Sequence, residues 1–158
     1  MKKTNAARIL DQHKIDYHLF EYEVDENNLG AEVVATKIGQ PIEKVFKTLV
    51  LTADKTGVIV AIIPGAMEVD LKNLASLSGN KKCQMVPLKE VLSLTGYIRG
   101  GVSPVGMRKN YPTFIDSSCN SFDRIFVSAG IRGLQLHISP NDLIKITNAK
   151  IGEISSIP

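Results

Sequence analysis

The sequence predicts an α+β domain in which a mixed, largely antiparallel curved sheet approaches a barrel and is surrounded by helices. Three observations carry this expectation. Apolar, β-branched runs are joined by short turns such as Ala53-Asp54-Lys55-Thr56-Gly57, which favours antiparallel pairing. Helical patterns are interspersed, but not in the strict strand-helix-strand rhythm of a doubly wound sheet. The length of 158 residues and hydrophobic fraction of 44% suit one core, so residues 1–158 read as a single domain.

Each element has its own signal. The first residues, 1–10, read as a polar helix start. Residues 5–14 place Ala6, Ile9, Leu10 and His13 on one helical stripe, with Thr4 or Asn5 as cap. Residues 17–22 alternate, with His18, Phe20 and Tyr22 on one face. Residues 31–38 form a short helix ended by Gly39, and Pro41 suits the first position of a following turn or helix. Residues 45–51 and 58–63 form a hairpin whose second strand is continuously apolar and central. Asp70 caps a helix through Leu77 that Gly79 terminates. Residues 82–86 form a strand, and Pro87 opens a helix closed by Gly96. Strands follow at 113–117, 124–128 and 134–138. Ser139-Pro140-Asn141-Asp142 starts a last helix, and residues 150–154 close the fold as a strand.

Composition sets limits on function. The net charge of +3 is mild, whereas nucleic-acid modules usually carry a more concentrated basic stripe. The chain holds 2 cysteines, Cys83 and Cys119, with no CxxC pair. Reduced thiols in a cytoplasmic protein are therefore expected. His13, His18 and His137 show no metal spacing. No segment suits a signal peptide or a bilayer span, so no membrane association is expected.

Lys47 stands out. It shares a strand face with Val45, Leu49 and Leu51, so an ammonium is presented beside a core. Either it snorkels to solvent, or its face lines a pocket that receives an anionic group, since an unpaired buried charge costs several kcal/mol, roughly. Gly100-Gly101-Val102-Ser103-Pro104-Val105-Gly106 is not a P-loop and does not fit GxGxxG. It is a tight turn, or a place where absent side chains let a ligand reach the backbone N–H groups. Ser128-Ala129-Gly130-Ile131-Arg132-Gly133 is a second such loop. Asp116 fits a turn better than a site. Neither Ser103 nor either cysteine has an activating partner at a readable spacing.

Three segments together resemble the signature of the YbaK family. They are Phe46-Lys47-Thr48-Leu49-Val50, Tyr97-Ile98-Arg99-Gly100-Gly101-Val102-Ser103-Pro104-Val105-Gly106, and Ser128-Ala129-Gly130-Ile131-Arg132-Gly133-Leu134. This family comprises free-standing editing proteins related to the insertion domain of bacterial prolyl-tRNA synthetases. The two loops bring the chain nearest to the Cys-tRNA deacylase branch.

The resemblance implies a trans-editing deacylase that clears cysteine mischarged on tRNA(Pro), and cysteine from Cys-tRNA(Cys) as a further substrate. It implies the aminoacyl-tRNA 3′ end as ligand, prolyl-tRNA synthetase as a candidate partner, and neither cofactor nor metal. The family's catalytic positions fall on Lys47, Gly100 and Gly101. Its substrate contacts fall on Tyr22, Leu29, Phe46, Thr48, Ser103, Pro104, Ser128, Gly130 and Arg132. Leu29 stands where some relatives carry an aromatic residue. In this branch the substrate's own thiol is thought to attack its ester, so the protein needs no nucleophile of its own. Two other functions fit the same residues: editing of another amino acid such as alanine on tRNA(Pro), or a non-catalytic tRNA- or synthetase-binding module. The oligomeric state is not legible.

Overall fold

The computed structural model describes residues 3–158. Met1 and Lys2, which the sequence assigned to a polar helix start, lie outside the described residues. Helix α1 spans Asn5–Gln12, and Thr4 caps it by accepting the Ala7 N–H at 3.2 Å, a contact worth about 1 kcal/mol. Its buried side is Ala6, Ala7 and Leu10. His13, expected on that stripe, is the exposed C-cap residue.

Strand β1 (Tyr17–Glu21) and helix α2 (Ala31–Ile38) follow. Gly39 ends α2 in the left-handed region at φ +69°, which glycine adopts without a Cβ clash. Pro41 precedes a single 3₁₀ turn, Ile42–Lys44, instead of opening a helix. Next come β2 (Phe46–Ala53), β3 (Gly57–Pro64), β4 (Glu68–Val69) and α3 (Leu71–Leu77). Strand β5 (Cys83–Met85) leads to the 3₁₀ turn Leu88–Glu90, which runs into α4 (Val91–Thr95). After a long loop come β6 (Thr113–Asp116), the 3₁₀ turn Ser117–Ser121, β7 (Ile125–Ser128) and β8 (Leu134–Ile138). The chain ends with α5 (Pro140–Thr147), β9 (Lys150–Gly152) and β10 (Ser155–Ser156).

The strands form a five-stranded sheet in the order β5-β2-β3-β6-β9, a three-stranded sheet β1-β8-β7, and the pair β10-β4. Most pairings are antiparallel, but β6 lies parallel to both β3 and β9. Strand β3 is central, as its apolar run predicts. The larger sheets meet where Val45, just before β2, bridges Phe126 of β7 in parallel. The sheets do not close into a barrel among the described residues. Strands β4 and β10 were not expected, because a two-residue pair shows no period to read.

One face of β1-β8-β7 packs on α1 and α5 through Leu10, Leu136, Ile138 and Leu143. Its other face carries Phe20 and Phe126 beneath Val34 and Ala35 of α2. Asp116 is buried at the end of β6. One carboxylate oxygen accepts the Ile154 and Ser155 N–H groups at 2.9 and 3.1 Å, and the other accepts the Ser118 hydroxyl at 2.6 Å. It is a turn residue that pins the C-terminal segment.

Candidate active site

A cavity of about 520 Å³ opens where the two larger sheets separate. Strand β2 explains it. Val45 bridges β7 at one end of this edge, and β5 pairs only from Leu51 to Ala53 at the other. The Val86 N–H still reaches the Val50 carbonyl at 3.1 Å. Peptide groups alternate in direction along a strand, so Thr48 turns its own N–H and C=O to this same edge, where no strand pairs with it. Phe46, Lys47, Thr48 and Leu49 all line the cavity.

The wall is mostly aliphatic, with Val34, Val86, Leu88 and Val91 among its residues. Its charged members are Lys47, Arg99 and Glu32. Lys47 makes no ion pair among the described residues; the ion pairs there are Lys3–Asp11 and Arg124–Asp16. Burial pushes the Lys47 pKa down, while the charge of Glu32, and then that of Glu68, pulls it back up. Thr48 Oγ1 and Gln135 Oε1, both in residues of this wall, are buried without a hydrogen-bond partner. No histidine or cysteine lines the cavity among the described residues.

Two glycine-bearing loops close one side. Gly100 lines the cavity at φ +84°, and a Cβ there would come within 3.3 Å of Leu29 Cδ1 and 3.4 Å of Arg132 Nε. Arg132 Nε donates to the Arg99 carbonyl at 2.8 Å, tying the second loop to the first. At Gly101 the loops pack backbone to backbone: an added Cβ would stand 3.1 Å from the Arg132 nitrogen. The Gly101 N–H donates to the Ile98 carbonyl at 2.8 Å. Gly101 was expected to contact the aminoacyl group through its backbone, as an oxyanion donor or by holding the α-amino group; its N–H is engaged within the turn. Gly100 and Val102 both line the cavity, and their N–H groups have no protein acceptor among the described residues.

Of the residues named from sequence, Lys47, Gly100, Leu29, Phe46, Thr48 and Ser128 line the cavity, with Arg132 at its rim. The others lie apart from the lining. Tyr22 packs beneath α2 with Phe126 and Val45. Ser103 is fully buried, and its Oγ accepts the Val105 N–H at 3.2 Å. Pro104 lines a separate cavity of about 230 Å³. Gly130 donates to Ser128 Oγ at 3.1 Å, and a Cβ there would fall 2.8 Å from the Tyr97 ring.

Glu32, Arg99, Val102 and Gln135 were not expected. Gln135 had a readable signal. It interrupts the apolar run of β8 on the face opposite Leu134 and Leu136, and it pairs with Ser128 of β7. The thiols lie outside the cavity. Burial, with the Asp116 charge, pushes Cys119 up to about 11, and burial also raises Cys83.

Comparison with known proteins identifies the family and the fold. Residues 25–146 match the family of aminoacyl-tRNA editing domains. An Enterococcus faecalis protein that carries the name Cys-tRNA(Pro)/Cys-tRNA(Cys) deacylase EbsC is 46% identical over 155 residues, covering 98% of this chain and 94% of that one. A proline–tRNA ligase of Thermosipho africanus is 33% identical over 78 residues, which is 49% of this chain and 14% of the ligase. A solved structure described as a trans-editing enzyme for prolyl tRNA synthetase superposes with a TM-score of 0.82, covering 98% of this chain and 99% of that one. Its identity is 22%, so this likeness concerns the fold.

Proposed function

The chain belongs to the aminoacyl-tRNA editing domain family, and we propose that it is a trans-editing deacylase that removes cysteine from mischarged tRNA(Pro) and from Cys-tRNA(Cys). The observation that carries this is the unpaired Lys47 ammonium in a largely aliphatic cavity beside an open strand edge. Such a site holds an anionic or ester-bearing chain end and excludes water from its apolar part.

In the proposed reaction the substrate thiol loses its proton and attacks the ester carbonyl carbon. The S–C bond forms, the bond from that carbon to the ribose oxygen breaks, and the ribose oxygen takes up a proton. The products are a cyclic thiolactone and free tRNA. Intramolecular attack in a held geometry reaches effective molarities of about 10⁵–10⁸ M, so a protein that orients the ends and steadies the oxyanion suffices. Lys47 holds the phosphate or ribose oxygens of the terminal nucleotide. The N–H groups of Gly100 and Val102 face the carbonyl oxygen as it becomes an oxyanion. Thr48, Ser128 and Gln135 supply polar contacts at the wall.

The test is deacylation of Cys-tRNA(Pro), Ala-tRNA(Pro) and Ser-tRNA by the purified protein. Preferential loss of cysteine supports the proposal. Preferential loss of alanine moves the chain to another editing specificity, and no turnover on any ester makes it a binding module. Prolyl-tRNA synthetase is the proposed source of tRNA selectivity, and adding it should narrow turnover toward tRNA(Pro). No helix among the described residues is long and apolar enough to cross a membrane. The protein is proposed to work in the cytoplasm, where the tRNA pool is charged.

A further inference from the structure

Glu32 and Lys47 line one cavity, and the Glu32 charge reaches Lys47 without an ion pair forming. The Glu32 carboxylate accepts no hydrogen bond from the described residues; the bond recorded at this residue is its backbone carbonyl with Thr36. Glu32 sits in the first turn of α2, beside Gly30 and Leu29 at the mouth. An acidic residue in a first turn ordinarily serves the helix dipole. That role needs no cavity and no unpaired lysine opposite. Here an exposed anion and a half-buried cation line the same cavity, and neither is in an ion pair among the described residues. A ligand that completes both carries a negative group at one end and a positive group at the other. The terminal aminoacyl nucleotide has this form, with phosphate and ribose oxygens at one end and an α-ammonium at the other.

We propose that Glu32 is the receptor for the α-ammonium of the aminoacyl group. Glu32 then confines the site to esters with a free amine and spares N-acylated ones, including peptidyl-tRNA and formylated initiator tRNA. This rests on the reading of the cavity as an aminoacyl-ester site, and it adds a selection rule that the cysteine side chain does not supply. Arg99, the other cation of the wall, stands with Lys47 as a partner for the phosphodiester, so the amine falls to Glu32.

The experiment compares wild type and Glu32→Gln on Cys-tRNA(Pro), on its N-acetyl derivative, and on the 3-mercaptopropionyl ester, which keeps the thiol and lacks the amine without added bulk. Wild type should cleave both amine-blocked esters about ten- to hundredfold more slowly than the cysteinyl ester, the range for one charge-assisted hydrogen bond. Glu32→Gln should lose a similar factor on the cysteinyl ester and stay within about twofold of wild type on the mercaptopropionyl ester. Equal losses on both esters, or a wild type indifferent to the amine, would overturn the assignment. A wild type that cleaves none of the three would instead remove the deacylase reading, and this assignment with it.

Discussion

Thr48 of β2 and Gln135 of β8 each bury a side-chain oxygen without a hydrogen-bond partner in the wall of the same cavity. Leaving a buried polar group unsatisfied costs about 1–3 kcal/mol. Two such groups on different sheets, converging on one space, are accounted for when an occupant of that space supplies the partner. Thr48→Val keeps the shape of the side chain and removes the orphaned hydroxyl. Its melting temperature should hold or rise, while kcat/KM on Cys-tRNA(Pro) falls about two- to tenfold, the range for one neutral hydrogen bond. A variant that melts earlier and turns over normally would show that Thr48 serves packing alone.

Lys47 should trade stability for activity. Burial lowers its pKa below the ordinary lysine value of 10.5, with Glu32 and then Glu68 acting against that shift. The unfolded chain therefore holds this proton more tightly than the folded one. Its burial opposes folding below both pKa values, and the penalty is relieved as pH rises from the folded pKa toward 10.5. Lys47→Met should raise the melting temperature at neutral pH, with the gain shrinking at alkaline pH. Deacylation should fall with the loss of a partly buried charged contact, about 2–5 kcal/mol in kcat/KM. Wild-type turnover, corrected for spontaneous ester hydrolysis, should decline with rising pH earlier than an ordinary lysine would dictate. Near-normal rates in Lys47→Met would return this side chain to a solvent-reaching role.

Much of this arrangement was legible in the sequence because periods and caps are local. The capped helix after Asp70, the hairpin around Asp54-Lys55-Thr56, and the isolated ammonium at Lys47 are each visible within about ten residues. The cavity depends on something less local. It exists because Val45 bridges β7 while β5 reaches β2 only at Leu51, and no window of sequence contains that divergence. Gln135 and Glu32 enter the site through it. The surroundings of Gly101 and Ser103 were not legible for a related reason. A glycine that admits a ligand and one that admits another loop look the same in sequence, and at Gly101 the neighbour is the backbone at Arg132.

The two adjacent glycines should separate in experiment. A methyl at Gly100 enters the mouth near Leu29 and Arg132 Nε, which are side chains able to give way, but φ +84° strains an alanine there, by about 1–2 kcal/mol. A methyl at Gly101 meets backbone at 3.1 Å and pushes the two loops apart. Gly100→Ala should keep most of its stability and lose turnover. Gly101→Ala should lose both, by about 1–3 kcal/mol in unfolding free energy. Paired melts and kinetics decide this, and a Gly101→Ala protein that stays fully stable and turns inactive would place Gly101 on the substrate after all.

The sharpest expectation concerns the nucleophile. Cys119 is fully buried with its thiol pushed up to about 11, and the Cys83 thiol donates to the Leu71 carbonyl at 3.4 Å. Neither lines the cavity. Cys83→Ser and Cys119→Ser should therefore retain activity per folded molecule. Cys119→Ser should melt earlier, because it sets a hydroxyl in an apolar cluster beside Ile115 and Leu143. If the substrate thiol does the chemistry, a seryl ester on the same tRNA should react far more slowly than a cysteinyl one. A thiol is already a few per cent thiolate near neutral pH, roughly, and is the stronger nucleophile, whereas a hydroxyl needs a base, and the one carboxylate of the wall, Glu32, is assigned to the substrate ammonium. The first product released should be the thiolactone, with free cysteine appearing later by its hydrolysis; rapid quench followed by mass spectrometry distinguishes the order. Equal rates on the two esters, or loss of turnover in a well-folded cysteine variant, would sink substrate-assisted cleavage. The open edge of β2 would then have to position a water against the ester, with Ser128 or the Gln135 carboxamide holding it.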